Sequence, residues 1–103
     1  IFIDQSVGLT LSNLHLEDSQ RAVEALTIKN SEISIEDSYI WTTGNYTAIA
    51  LVNDGSEKHA VNLKNISFIH FINDSPTTAD LKLSSSSIVN ITNCFQRKNF
   101  WSI

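Results

Sequence analysis

Glycine occurs three times and proline once in 103 residues, methionine is absent, and there is a single cysteine, Cys94. So few glycines argue against a protein of tight hairpins, because two-residue hairpin turns draw heavily on Gly. One cysteine cannot close an internal disulfide, so it neither demands nor excludes an oxidising compartment. The three histidines and Cys94 are well spread and form no metal-ligand cluster, so no metal and no other cofactor is expected. Basic residues are scarce, seven against eleven acidic ones for a net charge of −4. That excludes nucleic-acid binding through a strong basic field. No apolar run approaches the ~18 residues of a membrane span, so none is expected. No signal peptide is visible at the start. The chain opens at Ile1 rather than Met, which points to a piece processed or excised from a longer chain, with residues 1–103 as a single β domain.

What is present is Ile, Ser, Thr and Asn, a mixture of β-branched residues and turn formers that reads as short strand and polar corner. An apolar pair followed by an acid or amide recurs: Leu14-His-Leu16-Glu-Asp18, Ile33-Ser-Ile35-Glu-Asp37, Ala50-Leu-Val52-Asn-Asp54, His70-Phe-Ile72-Asn-Asp74 and Val89-Asn-Ile91-Thr-Asn93. The corner residues 18, 37, 54, 74 and 93 are 19, 17, 20 and 19 apart by subtraction. A second series of pairs precedes the first, ending at Asn13, Asn30, Asn65 and Ser85. Two interleaved series of similar period predict strands of three to five residues, each closed by a corner. Stacking such units in parallel buries a continuous apolar column and sets like corners above one another, where Asn and Asp can hydrogen-bond from copy to copy. The expectation is an all-β chain, a short parallel β-helix (solenoid) of about five coils. The alternative is an antiparallel β-sandwich, whose usual size is about 100 residues.

The h-x-h-x-Asn units at Asn13, Asn30, Asn65 and Asn93, with the Asp corners, resemble the right-handed parallel β-helix family of pectate-lyase-like enzymes and bacteriophage tailspikes. The likeness covers residues 7 to 95 and concerns architecture only. It carries no catalytic motif, so no catalytic residue is transferred. It implies an extracellular or virion-surface setting and assembly with copies of the same chain, a trimer being one form.

In the stacked arrangement Leu14 and Leu16 point inward and His15 and Glu17 outward. Glu17 and Glu36 then sit about one strand spacing apart, ~5 Å. Two carboxyls at about that separation are what a retaining glycosidase uses, and like charges so close push one pKa up. A solvated acidic face explains the same pair more simply, so no catalytic residue is expected, Glu17 and Glu36 being the only acidic candidates for one. Leu51, Asn53, Phe71, Asn73 and Asn90 fall on one outward column, where apolar and amide side chains suit sugar rings or a partner subunit. Phe71 points inward instead if the register shifts by one residue. Phe100 and Trp101 read as an end cap or subunit contact.

Three functions follow. The first is an extracellular structural and binding module, tailspike-like or adhesin-like, presenting a polar face to polysaccharide or cell-surface glycan and self-associating. The second is a polysaccharide lyase or glycoside hydrolase using paired carboxylates. The third is a β-sandwich protein-interaction domain. Architecture alone does not choose among them.

Overall fold

The computed structural model describes residues 1–17, 24–43, 47–55, 57–71, 81–84 and 87–98. Within them every regular element is a strand: β1 Phe2–Asp4, β2 Val7–Ser12, β3 His15–Glu17, β4 Glu24–Lys29, β5 Glu32–Thr43, β6 Thr47–Val52, β7 His59–Phe71, β8 Leu81–Leu83, β9 Ser87–Thr92 and β10 Phe95–Lys98. They form two sheets. One has the order β1-β4-β6-β8; the other runs β10-β7-β5-β2, with β3 also on β5 and β9 also on β7.

All eight strand pairings are parallel. An antiparallel sandwich requires neighbours to run in opposite directions, so that alternative is set aside. Among the described residues no strand pairs with its neighbour in sequence. Leu11, Ile35, Leu63 and Ile91 form one row across the larger sheet, with steps of 24, 28 and 28 residues by subtraction. Ile3, Ile28, Leu51 and Leu83 form a row across the smaller sheet, with steps of 25, 23 and 32.

These rows correct the expected period. The structure is four strands deep among the described residues, not five coils of about 19. The apolar pairs of the sequence are real strands, but one step contains two or more of them on different sheets. A spacing near 19 arises from measuring across corners of different kinds. Asp37 and Asn93 belong to one corner and Asp54 to another, while Asp18 and Asp74 lie outside the described residues.

The corners follow from backbone sterics. Asn13, Asp37, Asn65 and Asn93 have φ of 56°, 52°, 54° and 55°, and Gln5 and Asn30 have 54° and 47°. Asn and Asp tolerate this left-handed region better than other side-chain-bearing residues, because the short polar side chain can hydrogen-bond locally. Asp37 and Asn65 lie inside β5 and β7, so each long strand bends there. Asn13 and Asn93 lie at the matching breaks between β2 and β3 and between β9 and β10.

The amides along this corner bond to one another. Asn65 Nδ2 donates to Asp37 Oδ1 at 2.9 Å, and Asn93 Nδ2 to Asn65 Oδ1 at 2.7 Å. The residue after each left-handed one turns toward the core, and two are buried serines. Ser38 Oγ donates to Glu36 O at 2.9 Å and accepts Leu14 N–H at 3.1 Å. Ser31 Oγ donates to Lys29 O at 2.7 Å and accepts Ser6 N–H at 3.0 Å. Each hydroxyl thus supplies the acceptor that the turned backbone cannot, and leaves no buried donor unmade.

The core holds Leu26, Ile28, Ile35, Ile40, Ile49, Leu63 and Ile66, all at 0–1% exposure. Each such side chain gains roughly 1.5–3 kcal/mol from burial. Ile35, expected at the centre of the inward column, is at 0%. β6 is buried on both faces: Ala48 and Ala50 are buried along with Ile49 and Leu51.

Candidate functional site

Leu51 does not face outward. It is 3% exposed, registered between Ile28 and Leu83, and the exposed residue of that segment is Val52. The sequence unit Ala50-Leu-Val52 reads equally well in either phase, and the larger apolar side chain takes the interior. Asn53 is held in a structural role. Its backbone N–H donates to Ser84 Oγ at 2.7 Å and its Nδ2 to Ser87 Oγ at 3.2 Å. Asn90 is exposed and extends an amide row, donating from Nδ2 to Asn62 Oδ1 at 2.8 Å, while Asn62 Nδ2 donates to Ser34 Oγ at 3.3 Å. Phe71 is the last residue of β7, registered on Thr43. Asn73, Phe100 and Trp101 lie outside the described residues.

Nor are Glu17 and Glu36 stacked. Glu17 registers on Trp41, whereas Glu36 registers between Ser12 and Lys64, on the other side of the Asp37 bend. His15 Nε2 stands 3.6 Å from Glu17 Oε1, and both side chains are 61% exposed. The geometry of a retaining carboxyl pair is therefore absent at these two positions. Among the described residues, no group of three or more His, Cys, Asp or Glu side chains could hold a metal ion, and no helix is long and apolar enough to cross a membrane.

The structure assembles a different surface. Past the Asn13–Asp37–Asn65–Asn93 bend, the outward positions form two rows. One runs His15, Tyr39, Ser67, Phe95; the other runs Glu17, Trp41 and Ile69, with the backbone of residue 97 in register on Ile69. His15 meets Tyr39 edge to face, with ring centroids 4.9 Å apart and an interplanar angle of 83°. Tyr39 and Trp41 are half-buried, and Phe95 is 63% exposed. Opposite faces of this segment are kept apart by alternation, since Leu16, Ile40 and Phe68 point into the core. The result is an aromatic strip on one side of the bend, with the amide row of Asn62 and Asn90 on the other. The sequence marks Trp41, like Phe100 and Trp101, as a core plug or contact residue, but does not single out Tyr39. The alternation of Tyr39, Trp41 and Thr43 about Ile40 and Thr42 was the signal that could have placed both.

A second surface lies at the other corner, where Gln5, Val7, Asn30, Asp54, Glu57 and His59 line an open groove of ≈ 530 Å³. Asn30 and Asp54 clasp each other, Nδ2 to Oδ1 at 2.8 Å and Asp54 N–H to Asn30 Oδ1 at 3.2 Å. Lys29 Nζ is 3.3 Å from Asp54 Oδ2. The Asn30 hydrogen bond, then Lys29, hold the Asp54 carboxyl below its ordinary pKa of 3.8. Both oxygens of Asp54 are engaged in these contacts, which makes the carboxylate a corner clamp rather than a poised acid. His59 Nδ1 stands 3.8 Å from Glu32 Oε1.

No family model, no curated protein and no solved structure matches this chain.

Proposed function

We propose that the chain is a segment of a parallel β-helix serving as an extracellular, tailspike-like or adhesin-like structural and binding module, which presents a polar, aromatic face to polysaccharide and associates with copies of itself. The uniformly parallel pairing, the four-deep rows and the left-handed amide corners support the coil. The observation that carries the binding reading is the outward strip of His15, Tyr39 and Phe95 beside Trp41. Aromatic faces suit the apolar faces of sugar rings, and the amides of Asn62 and Asn90, across the bend, offer donors and acceptors to hydroxyls. Rows of like residues at strand spacing suit a polymer with a repeating unit better than a single small molecule.

The carboxylate-enzyme reading is the weaker one, because Glu17 and Glu36 occupy different rows on either side of a bend. Titration of a panel of long neutral and acidic oligosaccharides, followed by tryptophan fluorescence with a parallel reducing-end assay, tests the choice. Tyr39→Ala is expected to weaken binding about tenfold, which is ~1.4 kcal/mol, and Glu36→Gln by less than about twofold, since a hot spot concentrates on the aromatic anchors. Turnover by the wild type that disappears in Glu36→Gln overturns the binding reading in favour of the enzyme. Failure of every oligosaccharide to bind leaves only the structural role.

A further inference from the structure

The triplet Asn-x-Ser/Thr, with x other than Pro, is the acceptor sequence for an N-linked glycan. It occurs four times in this chain, at Asn45, Asn65, Asn73 and Asn90. Asn, Ser and Thr are all common here, so some of these triplets arise by chance, and exposure has to choose among them. Asn45 and Asn73 lie outside the described residues. Of the other two, Asn65 is half-buried in the corner row, and both atoms of its carboxamide are engaged. Its Nδ2 donates to Asp37 and its Oδ1 accepts from Asn93. Asn90 is exposed.

Asn90 owes its exposure to the side of the coil, not to the end of the stack. It sits in β9 between Val89, which packs against the core, and Ile91, which is in register with Leu63. Alternation therefore turns it outward, in the row of Ser34 and Asn62. A further level stacked on β9 leaves it outward. Its carboxamide has two N–H groups, one of which donates to Asn62 Oδ1 at 2.8 Å. Thr92, two residues on, shares its face and is exposed as well. The acceptor amide thus has one N–H to spare, and the threonine hydroxyl of its triplet lies on the same open surface.

We propose that Asn90 is an N-glycosylation site, with an oligosaccharide carried on a lipid pyrophosphate as the donor. This rests on the extracellular reading above and adds a modification to it. Asn90 Nδ2 forms a bond to the anomeric carbon of the sugar. The bond from that carbon to the pyrophosphate oxygen breaks, its electron pair leaves with the lipid carrier, and Nδ2 gives up one proton. The second N–H remains and keeps the bond to Asn62, so the fold accommodates the modified residue. Whatever the order of transfer and folding, the finished protein keeps a glycan only where it stays outside the packed structure. At Asn90 the glycan covers the polar face of Ser34, Asn62 and Lys64, across the bend from Tyr39 and Trp41. It shields that face from lateral contact with other chains and leaves the aromatic strip open. A glycan at Asn65 has the opposite consequence, because Ser67 of that triplet stands in the row of Tyr39.

The test uses the whole chain, secreted from cultured mammalian cells behind a cleavable signal. Treatment with a peptide N-glycosidase leaves Asp where a glycan was attached, and peptide mass mapping then reads each Asn separately. Modification is expected at Asn90 in most molecules and at Asn65 in few. Thr92→Ala keeps the Asn90–Asn62 bond, yet is expected to abolish modification at Asn90 as completely as Asn90→Gln removes it. Thr92→Ser is expected to retain it. Circular dichroism and thermal melting of the enzyme-treated chain check the fold. A folded, secreted chain with Asn90 unmodified overturns the proposal and leaves the extracellular reading to the oligosaccharide titration above. Modification at Asn65 in preference to Asn90 overturns it as well, and so does modification of Asn90 that survives Thr92→Ala. Should a variant fail to be secreted, cell-free translation into microsomes reads the same peptide.

Discussion

The two corners among the described residues solve one problem in different ways. At the corner of Asn13, Asp37, Asn65 and Asn93 the chain turns with a single left-handed residue four times, and the side chains bond from one level to the next. At the opposite corner Gln5 and Asn30 begin the same way, but six residues, 53–58, separate β6 from β7. There the Asn30–Asp54 clasp spans the levels and a groove opens beside it. The first corner is bent sheet, hydrogen-bonded on both sides, and has no room for an extra residue. The second is a connection between sheets, which can lengthen without disturbing the rows.

The sharpest way to break this contrast is by insertion. Two glycines placed after Asn65 shift the second half of β7 against Ser38–Thr43 and are expected to abolish the cooperative melt. The same pair placed after Gly55 is expected to lower Tm by only a few degrees, since lengthening a loop costs little. Equal effects at the two sites end the distinction.

Next in size is the interior that both corners enclose. Ile35→Ala is expected to cost roughly 2–5 kcal/mol in urea unfolding, the range for a large aliphatic residue that leaves a cavity. A loss below about half a kcal/mol contradicts the row assignment.

A smaller effect separates the two ingredients of the rigid corner. Asn65→Ala is expected to cost about 2–3 kcal/mol, from left-handed strain of ~1–2 and the loss of two exposed hydrogen bonds worth ~0.5 each. Asn65→Gly removes the bonds but not the conformational freedom, and should recover about half of that loss. If Gly is no better than Ala, the amide chain rather than the backbone angle holds the corner.

The smallest effect belongs to the clamp. The Asp54 carboxyl is held below 3.8 by Asn30 and Lys29, so its contribution is complete above that value and is lost as pH falls through the lower folded value. The gap in Tm between wild type and Asp54→Asn should be small and constant above about pH 5 and should shrink below pH 4. A gap that ignores pH removes the ion-paired clamp from the account.

The contrast between corners also explains what the sequence disclosed. Strand content, parallel stacking, the corner role of Asn13, Asn30, Asn65 and Asn93, and the burial of Ile35 all follow from local chemistry, because left-handed φ and two-residue alternation are written in neighbouring residues. The period does not follow, because the loop corner varies in length. Steps of 23 to 32 residues blur any fixed repeat, and counting across both corners produced a spacing of 19 that belongs to neither. The same error placed Glu17 over Glu36 and turned Leu51 outward. Tyr39 is not singled out and the face of Trp41 stays open, because the face an aromatic occupies depends on the phase of the strand, which is set by the partner across the sheet.

Because no described strand pairs with its neighbour in sequence, the first pairing among them must close a loop of at least 23 residues, at an entropy cost of about 3 kcal/mol by the logarithmic loop law. The described strands offer no local hairpin as a seed. Refolding should therefore show a slow start characteristic of high contact order, followed by faster growth once β5 and β7 have met, since each new strand then lands on a finished edge. Time, rather than final stability, is where parallel construction leaves its mark: a newly made chain waits with its edges unmatched until that first long loop closes.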